Sequence, residues 1–111
     1  MIELIILNHL NDKISEPVSL EKPSAQTGSY VVFEKTSSSK NNHLPSATFA
    51  FQSYADSLYN AAILNEEVKT AVESLIELDE IRGLTLNSDY NFTDTTTKEY
   101  RYQAVYDIRY Y

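Results

Sequence analysis

Apolar residues recur at every fourth position through the first part of the chain. The series consists of Ile2, Ile6, Leu10 and Ile14. This spacing puts the four side chains on one face of a helix. The run at residues 4–7 would also fit a buried strand, but the polar residues after it continue the helical alternation. A first helix over residues 2–14 is therefore the favoured interpretation, and Pro17 ends it.

Three short stretches that follow predict strands. They lie at residues 17–22, 30–35 and 47–52. Val18 and Leu20 share a face in the first, the second is β-branched and aromatic, and Phe49 and Phe51 share a face in the third. Residues 23–29 have the composition of a turn. Residues 36–42 are polar and low in complexity, which predicts a mobile loop. The strands on either side of that loop would then form a long-looped hairpin.

Residues 53–78 carry the strongest helical pattern. Ser53 is placed to cap this helix, and Asp56 three residues later resembles the second half of a capping box. Most acidic side chains fall away from the apolar stripe, so the helix should pack one face on a core. The predicted buried stripe comprises Tyr54, Leu58, Ala61, Val68, Val72, Leu75 and Ile76.

The last third of the chain alternates with a period of two, as the arms of an antiparallel hairpin do. The first arm would carry Leu84, Leu86, Tyr90 and Phe92 on one face. Residues 93–98 form the predicted turn. The second arm would bury Tyr100, Tyr102, Ala104, Tyr106, Ile108 and Tyr110, leaving a half-polar opposite face.

These elements predict an α+β fold in the order α-β-β-β-α-β-β. A helix of about 25 residues spans about 37 Å and a strand of about 10 residues about 33 Å, so the long helix can cover the hairpin. The expected architecture is a single antiparallel sheet with helices packed on one face. No repeat or composition break divides residues 1–111, which are expected to form one domain.

Composition narrows the classes of function. The net charge of −7 argues against a nucleic-acid partner, because phosphate binding requires clustered Lys and Arg. The chain has no cysteine, so disulfides and thiolate metal sites are excluded. No apolar run approaches the roughly 20 residues of a membrane span, and the start of the chain lacks the basic region of a signal peptide.

No combination of residues predicts catalysis, a cofactor or a metal site. The two histidines, His9 and His43, have no carboxylates at ligand spacing and are interpreted as solvated side chains. Glu66 and Glu67 are adjacent, so on a helix they point about 100° apart rather than acting as an acid pair. We therefore expect a protein that is not an enzyme.

Contact with other proteins is the function that these surfaces favour. Tyr59 and Ile63 lie four residues apart on the outward side of the long helix and predict a contact patch. The alternative is that the first helix or a nearby loop covers them. Tyr111 is expected to overhang the final strand and meet a partner. That strand is rich in aromatic and β-branched residues and is an edge hazard unless it is paired or covered.

Two stretches carry a family resemblance. The first is LEKP at residues 20–23 followed by YVVFEKT at 30–36. The second is NHL at 42–44, ATFAFQSYA at 47–55, LYNAA at 58–62 and LNEEVK at 64–69. Together they resemble the tail-completion or head–tail joining proteins of long-tailed phages and of prophages in low-GC Gram-positive bacteria. The resemblance extends from about Leu20 to Tyr110.

The resemblance implies a structural virion protein. Such proteins look like an antiparallel sheet with helices on one face, and they form rings, commonly sixfold, at the neck or the end of the tail tube. The implied partners are further copies of the chain, the tail tube and the head connector. The implied location is the host cytoplasm during assembly and then the virion.

The resemblance also implies a contact segment. Residues 36–44 match a loop that becomes ordered on assembly, and Ser38, Lys40 and His43 are its candidate contact residues. The family has no catalytic residues to carry over. The alternative function is a small monomeric or dimeric module of a mobile element that binds one host protein.

Overall fold

The computed structural model describes residues 1–23 and 28–111. Its helices are α1 (Ile2–Lys13) and α2 (Leu58–Glu73), and a 3₁₀ turn follows at Ser74–Glu77. Its strands are β1 (Val18–Ser19), β2 (Tyr30–Asn41), β3 (Leu44–Ala55), β4 (Ile81–Asn91) and β5 (Tyr100–Tyr110). The α+β class, the element order and the helical interpretation of the first segment are confirmed. The predicted turn at residues 23–29 lies largely outside the described residues.

The strands form one sheet in the order β1-β2-β3-β5-β4. Four of the strands are antiparallel to their neighbours, as predicted. The exception is the two-residue strand β1, whose Val18 and Ser19 pair in parallel with Val31 and Val32. Because β1 is so short, it covers only the beginning of the outer edge of β2.

Both helices lie on the same face of the sheet and enclose an aromatic core. α2 packs on β3 and β5, and α1 packs on α2 and β1. The rings of Phe33 and Phe51 stack with their centroids 5.4 Å apart, and Tyr106 meets Phe51 edge-on at 6.1 Å. The largest fully buried side chains are Tyr106, Phe33, Phe49, Phe51, Ile6, Leu10 and Leu75.

The second helix begins later than predicted. β3 continues through Ala55, because Ser53 and Ala55 pair with β5 across the sheet. Those backbone hydrogen bonds outweigh the local capping signal at Ser53. The residue that caps α2 is Ser57, whose extended backbone lets its Oγ accept from the Asn60 N–H at 3.1 Å. Tyr54 therefore belongs to a strand and not to the helical stripe.

Two residues of the predicted buried stripe are exposed. Leu58, in the first turn of α2, is 39% exposed, and Ile76 is 51% exposed. The change from α-helix to 3₁₀ turn after Glu73 alters the angle between successive side chains, so Leu75 stays buried while Ile76 turns outward. The buried residues of α2 are Ala61, Leu64, Asn65, Val68, Ala71 and Val72.

The predicted mobile loop at residues 36–42 is wrong, because these residues mostly extend strand β2. Their backbone pairs with β3 as far as Asn41, which faces Leu44. The hairpin closes through Asn42 and His43, with φ values of 52° and 65°. Positive φ at both central residues is typical of a two-residue type I′ turn. The serine side chains are polar, but strand formation is decided by backbone pairing with the neighbouring strand.

A β-bulge overturns the predicted face of β4. Leu86 pairs with Tyr106, but Ser88 pairs with Val105, so one residue is inserted between them. A one-residue insertion reverses the alternation of side chains. Leu84 and Leu86 therefore face the helices, whereas Tyr90 and Phe92 lie on the opposite face. The predicted buried face of β5 is confirmed at Ala104, Tyr106 and Ile108.

Candidate protein-contact surfaces

The sheet face away from the helices, called here the open face, carries its own aromatic cluster. Tyr30, Val32 and Tyr54 are buried there although no described helix covers them. The two tyrosine rings stack at 4.7 Å with an interplanar angle of 10°. Lys22 and Arg101 extend over the Tyr54 ring, each 5.6 Å from its centroid. Burial raises the pKa of Tyr30 above its ordinary value.

Hydrogen bonds extend this cluster across the open face. Arg101 donates to the Tyr54 hydroxyl at 2.9 Å, and that hydroxyl donates to Gln52 Oε1 at 3.1 Å. Gln52 Nε2 donates to Gln103 Oε1 at 2.8 Å, and Gln103 donates to the Tyr90 hydroxyl. Each side chain holds the next one in place, so this half of the open face is ordered before any partner arrives.

The edge of the open face on β4 exposes aromatic surface. Tyr90 is 41% exposed and Phe92 is 39% exposed, and their rings meet edge-on at 5.8 Å. The Arg101 guanidinium lies 4.6 Å from the Phe92 ring centroid. Sequence reasoning placed both aromatic residues in the core, because it did not foresee the bulge that turns them outward.

Three predicted contact residues lie near the β2–β3 turn. Ser38, Lys40 and His43 are all exposed on this hairpin. The hydroxyls of Ser39 and Ser46 hydrogen-bond across it at 2.8 Å. The serines line a concavity of about 250 Å³ together with Ala47, Thr48, Asp107 and Arg109. The hairpin is therefore a polar surface on a regular strand pair.

Two arginines lie beside the hairpin turn. Arg82 Nε donates to the Tyr110 carbonyl at 3.3 Å, and its Nη2 is 3.5 Å from the Pro45 carbonyl. Arg109 Nη1 is 3.4 Å from Thr85 Oγ1. Neither guanidinium forms an ion pair with a carboxylate among residues 1–23 and 28–111. We call Arg82 and Arg109, which line one concavity beside the turn, the basic end of the sheet.

A glycine makes room for one of these arginines. Gly83 is buried and lies opposite Arg109 in the β4–β5 register. A Cβ at this position would lie 2.6 Å from Arg109 Nη2, which is closer than such atoms approach in proteins. The Arg109 guanidinium therefore lies against the Gly83 backbone, in space that a side chain would otherwise fill. Sequence reasoning did not single out Arg82 or Arg109, because only the sheet register brings them together.

The outward placement of Tyr59 and Ile63 on α2 is confirmed. Tyr59 is 75% exposed and Ile63 is 42% exposed, so the alternative in which α1 or a described loop covers them does not hold. Tyr111 is 73% exposed, and its N–H donates to the Glu80 carbonyl at 3.0 Å. The role of these residues in contact stays a prediction.

The predicted contact residues divide between the two ends of the sheet. β3 starts at the hairpin turn and ends just before α2. Ser38, Lys40 and His43 therefore lie towards one end, and Tyr111 joins them there because β5 ends beside the start of β3. Tyr59 and Ile63, in the first turns of α2, lie near the other end.

The helical side of the molecule is acidic. Residues 56–80 contain seven acidic residues and one lysine. That lysine, Lys69, pairs with Glu66 at 2.7 Å and with Asp89 at 2.6 Å. Hydrogen bonds to Asp89 and Glu66 raise the pKa of Lys69 to about 12. The remaining acidic residues of this segment form no ion pair in the described chain.

A groove runs between the end of α1 and the second half of α2. Its volume is about 480 Å³. We call it the helix groove; its lining residues are Lys13, Ile14, Ser15, Glu67, Thr70, Ala71, Ser74 and Glu77. Glu67 and Glu77 are exposed, whereas Ile14 and Ala71 supply a buried apolar floor.

The hydrogen bond of the His9 side chain has a structural role. His9 Nε2 lies 2.7 Å from Ser74 Oγ, and the Ser74 hydroxyl donates to the Ala71 carbonyl at 2.6 Å. Because the serine hydrogen is already donated, His9 does not activate it as a nucleophile. The interpretation of His9 as solvated is wrong, since it connects α1 to the turn after α2. Burial lowers the pKa of His9 below its ordinary value.

The described part of the chain has neither a metal-binding group nor a membrane-spanning helix. Residues 1–23 and 28–111 contain no group of three His, Asp or Glu side chains placed to hold a metal ion. No helix among them is long and apolar enough to cross a membrane.

Comparison of the chain with protein-family models and with curated proteins finds no match.

Proposed function

We propose that this protein is a structural subunit of a phage particle that joins or terminates the tail at the head–tail interface, and that it is not an enzyme. The observation that carries the proposal is the separation of its candidate contact residues. Those near the hairpin turn and the Tyr59–Ile63 pair lie towards opposite ends of a molecule 44 Å long. A joining subunit needs this layout, because it contacts different neighbours on its two sides.

The edges of the sheet favour contact with partners through side chains rather than through added strands. β1 covers only the first part of β2, so the outer edge of β2 beyond Val32 has no strand partner in the described chain. β4 forms the other edge. β2 has a bulge between Lys35 and Ser37, and β4 has two register shifts. Bulges at sheet edges discourage uncontrolled strand pairing, so both edges are protected against aggregation.

The proposed partners follow from this role. They are further copies of the chain in a ring, commonly sixfold in such proteins, with the tail tube on one side and the head connector on the other. The ring would form on its own or on the tail tube as a template. The protein would act in the host cytoplasm during assembly and remain in the neck or tail of the virion. No cofactor, nucleic-acid partner or membrane partner is part of the proposal.

Binding to the tail tube tests the proposal. The purified chain would be mixed with the tail-tube protein of the same genome, and electron microscopy would show whether it occupies tube ends. The variant Tyr59→Ser/Ile63→Asp should lose this binding, because it removes the exposed apolar pair of α2. Leu4→Asp is the matched control, since Leu4 is 50% exposed on α1. Circular dichroism would show that both variants are folded.

Two results would contradict the proposal. The first is a wild-type protein that binds neither tail tubes nor head connectors. The second is a monomer or dimer that binds one host protein and never enters particles, which is the behaviour of the alternative binding module.

A further inference from the structure

We propose that the basic end of the sheet in one copy of the chain docks in the helix groove of a second copy, with Arg82 and Arg109 facing Glu67 and Glu77. The inference deepens the proposed function, and it rests on that function in taking the chain to be a self-associating subunit. It names the two surfaces that meet and the charges that hold them together.

The first step is the separation of charge along the chain. Residues 35–55 contain two lysines and no acidic residue, in a chain with sixteen acidic residues. Residues 56–80 contain seven acidic residues and one lysine. The fold places the first segment in the hairpin and the second in the helical layer. The molecule is acidic overall, but the hairpin segment beside Arg82 and Arg109 has no acidic residue of its own.

The second step is that the cations of the basic end lack anionic partners. Arg82 and Arg109 contact only carbonyl and hydroxyl oxygens, and neither forms an ion pair in the described chain. The carboxylate of Asp107, which lines a concavity together with Arg109, accepts from Thr48 Oγ1 at 2.7 Å and from Asn87 Nδ2 at 3.2 Å. A guanidinium bound to neutral oxygens gains from a carboxylate, which matches its planar donors.

The third step is the fit of the helix groove to this surface. Glu67 and Glu77 supply carboxylates at the groove, and Thr70 and Ser74 supply hydroxyls. Its volume of about 480 Å³ is enough for a few side chains of a hairpin turn. Leu44 beside the turn is 39% exposed and can cover the apolar floor. Lys13 also lines the groove and balances one of the two carboxylates, which leaves the groove with a net charge of −1.

The fourth step is the position of the two surfaces in one molecule. The helix groove lies in the helical layer, and the arginines of the basic end lie on the other side of the sheet. Every copy therefore offers one basic end and one groove, facing different directions. Contact between two different surfaces is heterologous, so it continues from copy to copy and closes into a ring where the rotation allows.

Sedimentation velocity with charge reversal tests the docking. Wild-type protein would be measured over a wide concentration range at ionic strengths of about 0.01 M and about 1 M, where the screening length falls from about 30 Å to about 3 Å. We expect association at low salt and at least about tenfold weaker association at high salt. Arg82→Glu/Arg109→Glu and Glu67→Lys/Glu77→Lys should each associate at least about tenfold more weakly than wild type at low salt.

Mixing the two variants gives the sharpest result. Each variant alone brings like charges together, whereas the mixture pairs each reversed surface with its complement and should restore association. Glu21→Lys/Glu34→Lys is the control for net charge, because it makes the same change as the groove variant at exposed residues elsewhere. It should not weaken association. Circular dichroism would establish that every variant is folded.

Three results would overturn the inference. They are a wild-type monomer at every concentration in low salt, single variants that associate like wild type, and a mixture that stays dissociated. The tail-tube experiment separates this failure from failure of the proposed function. If the chain occupies tube ends but does not associate through these charges, only the docking inference fails. If the chain binds no tail component, both the docking inference and the proposed function fail.

Discussion

Replacing two serines near the start of α2 by alanine, one at a time, should change stability in opposite directions. Ser57 lies at the N-terminus of the helix, and its Oγ accepts from the Asn60 N–H at 3.1 Å. Ser53 lies four residues earlier in β3, is fully buried, and its Oγ has no hydrogen-bond partner in the described chain. Sequence patterns favoured Ser53 as the cap, so the two substitutions separate the two accounts.

The expected loss for Ser57→Ala is about 1 kcal/mol, because alanine leaves a first-turn N–H of the helix without its side-chain acceptor. For Ser53→Ala the expected change is a gain of up to about 1 kcal/mol. A buried hydroxyl without a partner costs about 1–3 kcal/mol in proteins, and the small space left by the oxygen offsets part of the recovery.

Urea denaturation followed by far-UV circular dichroism measures both changes. The dependence of unfolding free energy on urea should have the same slope in all three proteins, since none exposes different surface on unfolding. The reasoning is refuted if Ser53→Ala destabilises the protein by about 1 kcal/mol and Ser57→Ala has no effect. That outcome would mean that the helix begins where the sequence pattern placed it.

Three further predictions concern single contacts. Tyr106→Phe should lower the unfolding free energy by about 1.5–3 kcal/mol in urea denaturation, because the buried Tyr106 hydroxyl donates to the Glu73 carboxylate at 2.6 Å; an unchanged midpoint would contradict this. Lys69 contributes stability that is fully present below pH 10.5 and lost as pH rises through its folded pKa of about 12. Thermal melts in this range should therefore show wild type losing about 1 kcal/mol more than Lys69→Gln, after allowance for screening by water, and parallel losses would refute the ion pair. His43→Gly should raise the unfolding free energy by about 0.5–1 kcal/mol, because His43 has a φ of 65° in a turn where glycine after Asn42 is favoured; a lower melting temperature would contradict the turn type.

The element order was predictable because long periodic segments determine it. The spacing of Ile2, Ile6 and Leu10 indicated a helix with one buried face, and these residues are buried in α1. The alternation through β5 placed Ala104 and Tyr106 on a shared face, and the sheet buries both. These buried faces could be predicted because a periodic pattern depends only on the geometry of its own helix or strand.

The errors arose where a neighbouring strand decides local structure. Ser37 and Ser39 looked like a loop from their polarity, yet pairing with β3 makes them part of a strand. The bulge before Ser88 reverses the faces of Tyr90 and Phe92, and no local pattern marks it. Strand register depends on both strands of a pair, so it does not follow from the sequence of one strand alone.

The contact surfaces were only partly predictable for the same reason. The outward pair Tyr59 and Ile63 follows from the helical wheel, and both are exposed. The basic end combines Arg82 and Arg109 from two neighbouring strands. Only the register that puts Gly83 opposite Arg109 brings these cations together. The one signal in the sequence was the absence of acidic residues between 35 and 55.

Deleting the gene for this chain from an inducible phage that encodes it tests the central claim most directly. Electron microscopy of the lysate would be compared with a complemented control. A subunit that joins or terminates tails predicts separate heads and tails, or tails of uncontrolled length, and complementation should restore joined particles. Normal, joined particles in the absence of the chain would contradict the account.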